Sequence, residues 1–146
     1  MIRPFAAVLA VGVALPALAG RAGQGDPRLD YVLQCQGCHL ADGAGAEASG
    51  VPRLRDTVGR FLQVEGGRAY LVRVPGVAHA PLEDQELAAL LNWMLPAFSP
   101  AELPRPFVPY TASEVGRYRR DALVDPAARR AALLSLLGAG EPSKAR

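Results

Sequence analysis

Both cysteines of the 146-residue chain fall in one five-residue stretch, "CQGCH", and one of its two histidines follows them directly. Four chemistries use two cysteines at this spacing. A zinc site needs four ligands, and Cys35, Cys38 and His39 leave His79 as the one further histidine. A thioredoxin-type redox pair sits beside a strand in a βαβ unit. A structural disulfide beside a chance histidine is the blandest option. In the fourth, the two thiols add to the vinyl groups of a c-type haem and His39 becomes an axial iron ligand. A histidine directly after the second cysteine favours that fourth reading.

The amino terminus bears on where such chemistry would occur. "MIRPFAAVLAVGVALPALAG" has a positive Arg3, an uncharged apolar run from Phe5 to Leu15 and a small-residue Ala17-Leu18-Ala19. It reads as a secretory signal peptide, residues 1–19. The run is short of the roughly 20 residues that span a bilayer, so stable membrane insertion after cleavage is not expected. Cleavage removes Arg3 alone among charged residues and takes the formal charge from +2 to about +1. That balance gives no ground for nucleic acid as a partner. Export to a bacterial periplasm suits covalent haem, which is attached outside the cytoplasm.

The elements that must position these residues read as helices. Asp26 caps a helix over about 27–37, with Pro27 at its first position. "RDTVGRFLQ" suits a short helix carrying Val58, Phe61 and Leu62. "GGRAYLVRV" fits strand or helix equally. "EDQELAALLNWML" is the clearest helix, with Leu87, Leu90, Leu91 and Met94 on one apolar face. Thr111 with Glu114, and Asp125 with Pro126, start two more helices, the last stopping at Gly138. Five prolines between residues 96 and 110 make a stiff connector. The Gly- and Pro-rich stretch from Gly37 to Pro81 is long for a loop region unless it packs on something rigid and apolar.

Taken together, "CQGCH", "GVPRL", "GGRAYLVRV" and "LEDQELAALLNWM" resemble the class I c-type cytochromes, particularly single-haem proteins that serve periplasmic dehydrogenases, over about residues 27–120. The resemblance implies an all-α cytochrome c fold wrapping one covalent haem c, here a domain at 20–100 followed by a connector and two-helix extension at 101–146. It implies that Tyr31 packs on Trp93. It implies that the Pro52 carbonyl orients the axial His39. Tyr70 would line the pocket with its hydroxyl near a haem propionate, or serve as core packing.

The family's usual methionine ligand is missing from the loop before the late helix, which here reads "VPGVAHAPLED". His79 in that loop is the expected sixth ligand, with Met94 the alternative, although a methionine at helical spacing is more often core filler. Arg53, Arg55, Arg60, Arg68 and Arg73 could meet propionates or dock an acidic partner, or form a solvated face. Arg117, Arg119, Arg120, Arg129 and Arg130 are expected to face water. Asp30, Asp42 and Glu47 form no carboxylate pair, and no Ser-His-Asp set or phosphate loop is present. The expectation is an electron carrier rather than an enzyme. It would pass one electron from a dehydrogenase to a cytochrome or oxidase. The alternative is a haem protein whose open or weakly held iron binds a gas or peroxide.

Overall fold

The computed structural model describes residues 25–139, so the signal-peptide reading of residues 1–19 lies outside the described residues. Among the described residues the secondary structure is helical, with one isolated bridge between Ala46 and Val51. None of their helices is long and apolar enough to cross a membrane.

Helix α1 (Pro27–Gln34) begins as expected, the Asp26 carboxylate accepting from Arg28 N at 2.9 Å. It does not run unbroken to residue 37. Cys35 leaves helical geometry (φ −125°) and a separate turn, α2 (Gln36–His39), carries the rest of the motif. Tyr31, 2 % exposed, is the side chain that ties the pair to the core. Its ring lies 5.6 Å from Trp93 and 4.9 Å from Phe98, and its hydroxyl donates to Leu40 O at 2.7 Å, just past the motif.

"RDTVGRFLQ" becomes a 3-10 turn over Val58–Gln63. "GGRAYLVRV" resolves as helix: α3 (Gly67–Arg73) buries Tyr70, Leu71 and Val72, and α4 (Pro75–Ala78) follows after a break at Val74. Helix α5 (Asp84–Phe98) starts with a capping box between Glu83 and Glu86 and buries Leu87, Leu90, Leu91, Met94 and Leu95. It continues through Pro96, so the connector is shorter than the prolines suggest.

The connector is held at both ends of Tyr110. Asn92 on α5 donates to Tyr110 O at 2.9 Å and accepts from Tyr110 N at 2.7 Å, and the Tyr110 hydroxyl donates to Arg68 O at 2.8 Å. Helix α6 (Ala112–Tyr118) is capped by Thr111, while the Glu114 side chain turns away from the cap to pair with Arg68. Helix α7 (Pro126–Ala139) is capped by Asp125 and passes through Gly138 instead of stopping there. Leu133 (0 % exposed) and Leu137 (8 %) are buried, so the apolar face of α7 packs on the body of the molecule.

Candidate functional site

A mainly apolar cavity of about 680 Å³ opens between α2, the 50–54 loop, the 3-10 turn, α3, α4, α5 and α7. Cys35, Cys38 and His39 line one side of it. Both thiols are unbridged, Cys38 exposed and Cys35 half-buried. Burial, and secondarily the nearby Asp30, push the Cys35 thiol up to about 11. His39 is fixed by a bond of 3.1 Å between Nδ1 and Pro52 O, which leaves Nε2 as its metal-binding nitrogen. Burial lowers the His39 pKa, against the opposing effect of the Pro52 bond, and so favours the neutral ring that a metal needs.

Sequence reasoning missed the residue that allows this geometry. Gly45 (φ +69°) runs against Pro52, and a Cβ there would stand 2.6 Å from Pro52 O, the atom that holds His39. Its N–H also donates to His39 O at 3.0 Å. The signal in the sequence is no more than a glycine in a glycine-rich loop, and its reason is tertiary.

Of the other expected site residues, Pro52, Tyr70 and Met94 line the same cavity. His79 does not: its side chain is exposed, and the preceding residues Val74, Pro75, Gly76 and Val77 form the cavity wall instead. No group of three or more His, Cys, Asp or Glu that could hold a metal ion forms among the described residues, so the zinc reading finds no ligand set.

The arginines divide differently from expectation. Arg68 pairs with Glu114 and Arg73 with Asp121, each tying α3 to the C-terminal segment. Arg119 is half-buried and bonded to backbone carbonyls. Arg130, expected in water, lines the cavity from α7 together with Pro126, Ala127, Ala131 and Leu134. Its guanidinium carbon lies 5.9 Å from the Phe61 ring centroid, and that ring lies 5.0 Å from Tyr70. Among the described residues, neither the Arg130 guanidinium nor the Tyr70 hydroxyl has a hydrogen-bond partner.

These residues fit a haem held by thioethers: two adjacent thiols, a tethered imidazole, apolar walls, and unpartnered donors suited to carboxylates. No protein-family model matches the chain. It is similar to cytochrome c-552 of Thermus thermophilus, 34% identical over 108 residues that cover 62% of this chain and 82% of that protein. It is equally similar to a second cytochrome c-552, from a particular strain of Thermus thermophilus, with 72% of that protein covered. Identity at this level, over most of the relatives' length and with "CQGCH" on a helical cavity, makes the chain a member of the class I c-type cytochromes, electron carriers with covalently bound haem c.

Proposed function

We propose that the protein is an exported, periplasmic single-haem carrier that takes one electron at a time from a dehydrogenase and passes it to a cytochrome or oxidase. Haem c supplies the redox chemistry, iron cycling between ferric and ferrous. The chain's residues bind, orient and shield it. Cys35 and Cys38 would carry the thioether bonds, which would keep the group from being lost by a shuttling protein. His39 would offer Nε2 to the iron, its ring held by the bond between Nδ1 and Pro52 O. Tyr70 and Arg130, both on the cavity wall, would serve as donors to the haem carboxylates. The apolar walls exclude water and so favour fast, low-reorganisation exchange.

The observation that carries this reading is the tethered His39 beside two free thiols on one apolar cavity. Its test is stopped-flow mixing of the ferric holoprotein with reduced periplasmic dehydrogenases, with one-electron reduction by at least one of them as the expected result. Failure with every dehydrogenase, despite reduction by small mediators, would remove the dehydrogenase from the scheme and leave the carrier.

A second reading rests on the place of His79. With that ring outside the cavity and Val74–Val77 presenting an apolar wall, Met94 is the remaining sequence-predicted sixth ligand that lines it. Met94 belongs to the buried face of α5. If its sulfur stays in that packing, the iron is open on one side and binds small molecules. Carbon monoxide decides: fast binding to the reduced protein, with an unchanged ferric spectrum in Met94→Leu, establishes the open iron. A sulfur-to-iron band lost in Met94→Leu establishes the thioether.

A further inference from the structure

Arg119, at the C-terminal end of α6, points back under the loop between α4 and α5. Its Nε donates to Ala78 O at 3.1 Å, Nη1 to Leu82 O at 2.7 Å and Nη2 to Ala80 O at 2.6 Å. Nη1 also meets Asp84 Oδ1 at 3.2 Å. One guanidinium therefore holds three carbonyls on both sides of His79 and the first turn of α5. Its side chain is 17 % exposed, so these bonds are made largely out of water, where each is strongest. The approach of α6 that permits them is close. A Cβ at Gly116 would collide with the Asp84 carboxylate.

The segment held this way continues directly from the cavity wall. Val77 lines the cavity, and His79 comes two residues later with its side chain outside. Two residues are at most about 7 Å of chain. The chain distance is therefore short enough for a rearrangement of this turn to bring the His79 ring to the cavity. A neutral imidazole is a strong ligand for haem iron, so without a restraint the loop would gain from such a rearrangement. Backbone bonds from His79 N to Pro75 O at 3.0 Å and from Ala80 N to Val77 O at 3.2 Å shape the turn locally, and Arg119 is the side chain that fixes it to the C-terminal segment.

We propose that Arg119 is a positioning residue that decides the iron's ligand set: by pinning the carbonyls of Ala78, Ala80 and Leu82 it keeps His79 out of the haem cavity. This rests on the haem occupying that cavity. It is independent of whether Met94 binds the iron or the far side stays open. It also gives the C-terminal segment a role in the redox site that its distance in sequence from the haem motif hides.

The test compares holoprotein variants Arg119→Ala, Arg119→Lys, His79→Ala and the double variant Arg119→Ala/His79→Ala. Ferric electron paramagnetic resonance, carbon monoxide association to the reduced protein and circular dichroism are the readouts. Arg119→Ala is expected to show a bis-imidazole signal and carbon monoxide binding slowed at least tenfold if the wild-type iron is open. If Met94 is the ligand, the sulfur band is lost instead. His79→Ala alone should leave the wild-type spectrum unchanged, and adding it to Arg119→Ala should abolish the bis-imidazole signal. Lysine keeps the charge and three donors but lacks the planar fork that reaches the separate carbonyls, so Arg119→Lys should show the same change in part and serves if the alanine variant does not fold. A folded Arg119→Ala with wild-type spectrum and kinetics overturns the proposal. So does a spectral change in His79→Ala alone, which would make His79 a ligand already. Haem extractable from the wild-type protein would instead overturn the underlying site.

Discussion

At the scale of single residues, the proposed function divides the cavity lining into groups that would hold the cofactor and a group that would tune it. Cys35, Cys38 and His39 would hold it, and their spacing is legible in the sequence because covalent chemistry dictates it. Arg130, on the cavity wall, would tune it. A haem carboxylate left uncompensated favours the ferric state, and a guanidinium beside it cancels that charge. Arg130→Gln should therefore lower the reduction potential, by on the order of 40 mV for each ~1 kcal/mol by which the guanidinium favours the ferrous over the ferric state. The potential should also become more pH-dependent in spectroelectrochemical titrations across the acid range, because the carboxylate loses the charge that keeps it ionised. An unchanged potential and pH profile would place the Arg130 charge in solvent. Nothing in "PAARRAALLSLL" marks this arginine as a pocket residue. An arginine among alanines reads as a wet helix face until the helix is laid against α3 and the Val58–Gln63 turn. Arg119 was hidden for a related reason: three of its four partners are backbone carbonyls, which leave no residue type in the sequence to match.

At the scale of elements, the strongly periodic or capped segments were readable and the irregular ones were not. Helix α5 follows from its leucine stripe, and α6 and α7 from their caps. The break at Cys35 and the helical state of α3 depend on how the chain closes around the cavity, which periodicity does not encode. The joint between α3 and α6 is the Arg68–Glu114 pair, with side chains 27 % and 16 % exposed. Arg68 also donates to Val108 O at 2.7 Å and Pro109 O at 2.9 Å, and lies over the Tyr110 ring. Its hydrogen bonds to Glu114, more than any other influence, hold that carboxyl below the usual glutamate value. Because the folded-state value is depressed, the stabilisation is complete above the ordinary glutamate pKa of 4.5 and is lost as pH falls through the lowered one. Glu114→Gln should cost about 1.5–3 kcal/mol near neutrality. Its deficit relative to the wild type should shrink in acid. Denaturant titrations of both proteins from pH 7 to pH 3 check this, and a deficit that does not change with pH would mean the pair contributes nothing through its charge.

At the scale of the whole molecule, the C-terminal segment helps to enclose the cavity that lies beside the cysteines. α7 walls the cavity, while α6 braces both α3 and the loop before α5. From sequence alone the chain divides after residue 100, with residues 101–146 an extension of the cytochrome domain. The fold instead puts Leu133 in the same core as Phe61 and Leu91. Leu133→Ala should cost about 2–5 kcal/mol, read as a lowered midpoint in thermal unfolding of the holoprotein. Truncation after Asp125 should keep the haem attached, since the thioethers do not depend on α7. It should also speed carbon monoxide access and lower the midpoint further. A truncated protein with wild-type stability and access would make α7 an appendage.

The most direct test of the account is the mass of the holoprotein measured under denaturing conditions, followed by digestion. The account predicts the polypeptide plus one haem, surviving acid-acetone extraction, with the added mass on a peptide that contains Cys35 through His39. It also predicts complete loss of that mass when Cys35 and Cys38 are replaced together. A bare polypeptide with the haem released into the solvent phase, or haem retained in the double cysteine variant, would contradict it.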